Sequence, residues 1–188
     1  MKRLLRTYAF PLALAGFGAP GFTPVTAGAQ GLMAEMHADV GSVEQKMIDL
    51  AKAVPENAYS WRPAPGVRSI GDVFKHVASD NCFIPIAMGT PAPAASGISG
   101  TDMKSVGAYE ARPMTKDQIV AELEASFKHL HGAMRTTTDA NLTQTIKFFG
   151  QDWSRQKAMI LTVTHLHEHL GQAIAYARSN NVTPPWSK

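Results

Sequence analysis

Four segments of the chain carry apolar residues that alternate at spacings of three and four, and this pattern constrains the fold more than any other feature. In the first segment these residues are Met33, Met36, Val40, Val43, Met47, Leu50 and Val54. Such spacing places one apolar face along a helix that packs at a shallow angle against its neighbours. Pro55 follows the last of them and ends the predicted helix.

Three later segments repeat the pattern, and their predicted limits are residues 69–88, 115–134 and 154–178. The first of these opens at Ser69, a good N-cap residue, and Pro85 is expected to kink this helix or end it early. The next opens at Thr115, where Gln118 completes a capping box. The sequence therefore predicts an all-α fold, a four-helix bundle with long connections.

Two connections between these helices have no clear periodicity. Residues 89–114 are rich in Gly, Ala, Pro and Ser, and a loop of this length is usually a lid, a binding loop or a mobile segment. Residues 142–153 alternate weakly between apolar and polar side chains. That alternation suits either a short hairpin or an irregular crossover.

The first 29 residues have the organisation of an export signal. Basic residues precede an apolar stretch at residues 8–17, and Ala-Gly-Ala at residues 27–29 offers a cleavage site. The apolar stretch is about half the length of a bilayer span, so no stable transmembrane helix is predicted. We predict a signal peptide over residues 1–29, a mature domain over residues 30–188 and a periplasmic or secreted location. An uncleaved N-terminal anchor is the alternative.

The charge of the chain does not indicate a nucleic-acid-binding protein. The 188 residues carry a formal charge of +3. Lys2, Arg3 and Arg6 account for this excess, and the rest of the chain has 15 basic and 15 acidic residues. Nucleic acid is therefore not a predicted partner. One cysteine, Cys82, excludes a disulfide framework and a Cys-rich metal site.

Two histidines in the last predicted helix have the spacing of a metal-binding pair. His165 and His169 are four residues apart, so they lie about 40° apart around the helix axis and one turn along it. Both rings can reach one ion at the ~2.0–2.1 Å of a zinc–nitrogen bond. His167, between them, faces away and is not a predicted ligand.

Two imidazoles leave a divalent ion under-coordinated, so a third ligand must come from another helix. His76, between Val73 and Val77 in the second predicted helix, is the candidate. The alternative is a His76 at the edge of the core that is hydrogen-bonded to a carbonyl group. The other histidines, His37, His129 and His131, are assigned to surface or core-edge positions.

Two groups of residues resemble the DinB-like (DinB/YfiT) superfamily of metalloenzymes. The first group is similar to the segment entering that family's second helix and consists of Trp61-Arg62-Pro63, Arg68-Ser69-Ile70-Gly71 and His76. The second is similar to its last helix and tail and consists of His165-x3-His169, Gly171-Gln172, Tyr176-Ala177-Arg178 and Val182-Thr183-Pro184-Pro185-Trp186-Ser187.

This resemblance implies a four-helix bundle that holds one divalent metal ion, which is nickel, zinc, manganese or iron among members. One histidine of the second helix and two of the last are the ligands, here His76, His165 and His169. Homodimers are common among relatives, and the apolar first helix is compatible with one. Many relatives are cytoplasmic, so the predicted export signal is a departure that weakens roles requiring cytosolic thiols.

Two carboxylates are candidates to assist the ion. Glu168, three residues after His165, is a candidate catalytic base near the metal-binding face, or else a solvated carboxylate on the helix flank. Asp72, one turn before His76, is a candidate partner of that ring, or else an acidic residue favoured near a helix N-terminus.

Three neutral imidazoles leave the ion open positions and most of its Lewis acidity. This suits a metal-dependent hydrolase or thiol transferase that acts on a small-molecule substrate. A non-catalytic metal-binding or stress-related module is the alternative, and a structural bundle that binds nothing is the third hypothesis. No motif identifies the substrate.

Overall fold

The computed structural model describes residues 31–187, so the predicted signal peptide at residues 1–29 lies outside the described residues. The described chain forms α1 (Leu32–Ala53), α2 (Ile70–Ala87), α3 (Lys104–Glu110), α4 (Lys116–Met134), β1 (Thr145–Phe148), β2 (Gln151–Ser154) and α5 (Arg155–Ser179). Short 3-10 turns occupy Glu56–Ala58, Ala94–Ser96, Asp139–Asn141 and Pro185–Ser187.

The four long helices, α1, α2, α4 and α5, pack around one apolar core. Both α1 and α2 contact α4 and α5. Each helix contributes fully buried side chains, among them Met47, Phe74, Leu123 and Met159. Burial of a side chain of this size contributes about 1.5–3 kcal/mol relative to leaving it exposed. The predominantly helical fold predicted from the apolar spacing is therefore confirmed.

Side chains that cap the helix starts fix where α2 and α4 begin. The Asp72 backbone N–H donates to Ser69 Oγ at 3.1 Å, and the Asp72 carboxylate accepts from the Ser69 N–H. Thr115 and Gln118 form the same reciprocal pair at the start of α4, which confirms the predicted capping box. These caps satisfy backbone N–H groups that have no partner within a helix.

Pro85 lies in the last turn of α2, which continues to Ala87. A proline removes one intrahelical hydrogen bond, and near the end of a helix the remaining turn can still form. Of the two effects expected of Pro85, the early end is therefore wrong, and the kink stays a prediction.

The two connections contain short regular elements. Residues 89–114 include α3, which packs on α2. Residues 142–153 include most of an antiparallel hairpin in which Ile146 pairs with Trp153. The hairpin loop is Phe149-Gly150, and both residues have positive φ, 50° and 73°. Among the described helices, none is long and apolar enough to cross a bilayer.

Candidate metal centre

Three histidines from two helices converge near the surface of the bundle. His76 lies on α2, and His165 and His169 lie on successive turns of α5. One ring nitrogen from each lies within 4.8 Å of the other two. The Nε2 atoms of His165 and His169 are 3.0 Å apart, and those of His165 and His76 are 3.3 Å apart. The triad expected from spacing and resemblance is thus brought together at one point.

Hydrogen bonds at Nδ1 determine how two of these rings present Nε2. His76 Nδ1 lies 2.7 Å from Glu110 Oε1, and His169 Nδ1 lies 2.9 Å from Gln172 Oε1. Because carboxylate and amide oxygens accept hydrogen bonds, both contacts favour a proton on Nδ1, which then donates. Gln172 is held in turn because its amide donates to the Tyr176 hydroxyl at 3.1 Å. A neutral imidazole that is protonated at Nδ1 has a lone pair at Nε2. The Nε2 lone pairs of His76 and His169 therefore both face the ring of His165.

This donor set fits a divalent cation. His165 Nε2 carries at most one proton, so it cannot satisfy the lone pairs of both His76 and His169. A cation between the three nitrogens satisfies all of them at once. Two nitrogens bound to a tetrahedral zinc ion are roughly 3.3 Å apart, which is close to the spacings observed here.

The surroundings of His169 favour its neutral form, which is the form that binds metals. Burial lowers the pKa of His169 below its ordinary value, and the positive charges of protonated His165 and His76 would lower it further. The hydrogen bond with Gln172 and the nearby Glu168 act in the opposite direction but do not reverse the effect.

Glu110, the last residue of α3, is the partner of His76 that the sequence did not reveal. Ser79 Oγ lies 3.1 Å from its Oε1, and Arg68 Nη2 lies 3.4 Å from its Oε2. Burial raises the pKa of Glu110, but its interactions with His76, Arg68 and Ser79 lower it below the ordinary value overall. Lys75 Nζ donates to the Glu110 carbonyl group at 2.6 Å, which fixes the end of α3 against α2.

Asp72 lies at the start of α2 and has other partners. Its carboxylate caps the helix and forms ion pairs with Arg62 at 3.3 Å and Lys75 at 3.1 Å. No hydrogen bond within residues 31–187 joins Asp72 to His76. The orienting role considered for Asp72 is therefore performed by Glu110.

Asp80 is the acidic side chain nearest to the converging nitrogens. Its Oδ2 lies 3.0 Å from His165 Nε2 and 3.6 Å from His76 Nε2. The Asp80 side chain is 18% exposed, and those of His76 and His165 are 14% and 16% exposed. One turn of α2 separates His76 from Asp80, and this (i, i+4) spacing is the signal that could have identified Asp80, which the sequence analysis missed.

Within residues 31–187, neither Glu168 nor His167 is hydrogen-bonded to a member of the triad. The Glu168 side chain is exposed, and within residues 31–187 it has no hydrogen bond or ion pair. Its role as a base stays a prediction. His167 Nε2 instead contacts Asp39 Oδ2 on α1 at 2.8 Å, away from the triad.

Two members of the triad, His76 and His165, line a cavity of about 430 Å³. Its other polar residues are Arg68, Asp80 and Glu110, and its apolar residues include Phe83, Met103 and Phe149. An ion held by the three histidines would therefore be accessible from this cavity. That arrangement is typical of a reactive or exchangeable site rather than an enclosed structural one.

Comparison with known proteins agrees with this fold. A family model described as the DinB superfamily matches residues 41–173. A DinB-like protein from Bacillus cereus has a similar structure, with a TM-score of 0.66, 18% identity and coverage of 81% of this chain and 95% of its own. A DinB-like protein from Bacillus subtilis has a TM-score of 0.60 and 15% identity, with coverage of 79% of this chain and 93% of its own. An uncharacterised Escherichia coli protein has a TM-score of 0.58 and 14% identity, with coverage of 80% of this chain and 95% of its own. The search of curated proteins gives no match.

Proposed function

The chain belongs to the DinB superfamily, and on this premise we propose that it binds one divalent metal ion and hydrolyses a small-molecule substrate. His76, His165 and His169 would hold the ion. A divalent ion with an open position supplies Lewis acidity toward a water molecule or a carbonyl oxygen. Imidazole suits zinc, nickel and iron, and the nearby carboxylate of Asp80 extends the suitable ions to manganese.

The position of Asp80 is the observation that carries this proposal. A general base must lie within hydrogen-bond reach of the proton that it accepts. Asp80 Oδ2, 3.0 Å from His165 Nε2, lies at the polar side of the cavity. As water adds to the carbonyl carbon, Asp80 accepts a proton from that water. It then returns the proton to the leaving oxygen or nitrogen as the carbon–heteroatom bond breaks.

Thiol transfer is a less favoured reaction because the chain supplies no reactive thiol. Cys82 is buried, and burial together with the nearby Glu122 raises its pKa to about 12. A thiolate, rather than a thiol, is the nucleophile in such chemistry. A transferase would therefore require an external thiol.

The same carboxylate also favours a second candidate function, a non-catalytic metal-binding module. With Asp80 as a fourth ligand, the three histidines would form a closed site of the kind found in structural zinc proteins. The two functions therefore differ in the role of one side chain, and this difference defines the experiment.

The test compares the full untagged chain with Asp80→Asn and Glu168→Gln variants. Each protein is loaded with zinc, nickel, manganese or iron in turn and assayed with an aryl ester, an anilide and glutathione plus an electrophile. If Asp80 is the base, Asp80→Asn lowers the hydrolytic rate about 10²–10⁴-fold without loss of metal, and Glu168→Gln has little effect.

Three results would overturn parts of this proposal. Lack of hydrolysis with every metal, together with release of metal from Asp80→Asn, would establish the closed module instead. Loss of hydrolysis in Glu168→Gln alone would make Glu168 the base. Turnover only in the presence of glutathione would establish a transferase.

We also propose that the chain is exported. The support is the order of basic residues, an apolar stretch at 8–17 and Ala-Gly-Ala at 27–29. Mass spectrometry of the protein from the periplasmic or culture fraction is expected to give an N-terminus at Gln30. Recovery of the intact chain from the cytoplasm alone would contradict export.

A further inference from the structure

A second, larger cavity adjoins the cavity that His76 and His165 line. Its volume is about 770 Å³, and it lies between α2, the segment before α3 and the β1–β2 hairpin. Phe83, Met103 and Phe149 line both cavities. The two cavities therefore adjoin at these three side chains, one beside the triad and the other an apolar chamber next to it. A volume of 770 Å³ is within the range of roughly 300–1,000 Å³ that is typical of small-molecule sites.

The chamber is lined mainly by apolar and aromatic side chains. The ring centroids of Phe83 and Phe149 are 6.0 Å apart, as are those of Phe83 and Phe148. Additional aromatic groups pack favourably on such rings at centroid distances of about 4.5–7 Å. Lys147 is the charged residue of the lining, and its ammonium is paired with Asp152 at 2.7 Å. The chamber thus suits an uncharged group.

Two side chains that line both cavities are unusually exposed for their type. Phe149 is 57% exposed and Met103 is 54% exposed, the two highest values among the large apolar residues of the described surface. Each contributes stability only when something covers it. A molecule bound at the junction of the cavities would cover both side chains.

The hairpin turn holds Phe149 in this position at a conformational cost. Phe149 has a φ of 50°, in the left-handed region that bulky side chains rarely adopt. Asparagine followed by glycine is the preferred sequence for a two-residue turn with positive φ at both positions. A phenylalanine there costs backbone strain and places an aromatic ring over the chamber. Strain of this kind commonly accompanies a binding function.

We infer that this apolar chamber binds an aryl or long alkyl group of the substrate, and that Phe149 and Met103 determine the preference for it. This inference rests on the proposed function, because the reacting end of the same molecule would lie at the triad. The substrate class is then an aryl or alkyl ester or amide without charge on the part that enters the chamber. The position of the chamber next to the cavity beside the triad favours this occupant over a second protein copy or a lipid surface.

Hydroxamates that differ only in their apolar part test the inference. A hydroxamate head binds a metal ion, so acetohydroxamate reports the triad alone, and benzohydroxamate reports the triad plus the chamber. Dissociation constants are measured by calorimetry on the full chain loaded with zinc. Benzohydroxamate is expected to bind on the order of tenfold more tightly than acetohydroxamate, given the apolar area that it buries.

Phe149→Asn is the decisive variant because it removes the ring and also relieves the turn. Asparagine tolerates positive φ, so this variant is expected to fold at least as stably as the parent chain. Its preference for benzohydroxamate is expected to disappear. The matched control is Ile160→Asn on α5, which alters a side chain that is 46% exposed but lines neither cavity. That variant should keep the full preference.

The possible failures of the two proposals are distinguishable. Equal affinity for both hydroxamates in the parent chain would overturn the chamber and leave the metal site intact. If neither hydroxamate binds, the metal site fails, and the neutral fluorophore N-phenyl-1-naphthylamine tests the chamber alone. Fluorescence enhancement that Phe149→Asn abolishes would support the chamber, and no enhancement would overturn it.

Conversion of a dimer to a monomer by Phe149→Asn, measured by sedimentation, would assign these side chains to self-association and overturn the inference.

Discussion

At the scale of single residues, the proposed chemistry depends on which ring nitrogen of each histidine carries a proton. Glu110 and Gln172 accept hydrogen bonds from Nδ1 of His76 and His169, at 2.7 and 2.9 Å. Both contacts leave Nε2 free to bind an ion and also fix the orientation of the ring. Such partners of ligating histidines typically change metal affinity by about 10–100-fold.

The Glu110 contact gives a prediction with a matched control. Glu110→Ala is expected to weaken zinc binding about 10–100-fold because His76 loses the acceptor that fixes its tautomer. Glu44→Ala removes a carboxylate that contacts His131 at the same 2.7 Å, outside the triad, and should leave affinity unchanged. Competition with a chromophoric chelator measures the zinc affinity of both variants. Equal affinities for the two variants would show that Glu110 has no orienting role.

The sequence predicted which three histidines come together but neither of the carboxylates that contact them, and for Glu110 the reason is physical. His165 and His169 are related by one helical turn, and His76 lies on a periodic helix, so their faces follow from spacing. Glu110 follows His76 by 34 residues and lies within a segment without periodicity. Its contact depends on how α3 packs against α2, which no local pattern encodes.

At the scale of elements, α2 is central to the site because it carries both His76 and Asp80 and anchors α3. Lys75 and Ser79 of α2 contact the backbone and side chain of Glu110. A reciprocal cap between Ser69 and Asp72 begins this helix. The face of α2 on which His76 lies thus follows from where the cap starts the helix.

Removal of this cap should destabilise the chain measurably. Ser69→Ala is expected to lower the free energy of unfolding by about 1 kcal/mol, because the Asp72 N–H loses its acceptor. Ser69→Asp retains an acceptor oxygen at the same place and should recover most of the lost stability. Urea denaturation measures the free energy of unfolding of the parent chain and the two variants. A loss below a few tenths of a kcal/mol for Ser69→Ala would contradict this account of the helix start.

Periodicity predicted the long elements and failed for the short ones. The limits of α1, α4 and α5 follow their apolar stripes closely, and side-chain caps begin α4 and α5. α3 has seven residues in a segment rich in Gly, Ala, Pro and Ser, too few for a stripe to emerge. The hairpin remained one of two alternatives because its strands have four residues each and its turn lacks the usual asparagine.

At the scale of the whole molecule, the bundle brings together side chains that are distant in sequence. His76 and His165 are 89 residues apart, and they meet because α2 packs directly against α5. The hairpin between α4 and α5 then covers one side of the opening with Phe149. The core specifies where the triad lies, whereas the connections specify what can reach it.

Zinc binding by the full untagged chain tests the central claim most directly, with His165→Ala compared with His167→Ala. The parent chain is expected to bind one equivalent per molecule. His165→Ala should lose affinity by more than the roughly 10–100-fold expected for an orienting residue, because it removes a ligand. His167, which contacts Asp39 on the opposite side, should be dispensable. No stoichiometric binding by the parent chain, or equal binding by the two variants, would contradict the claim.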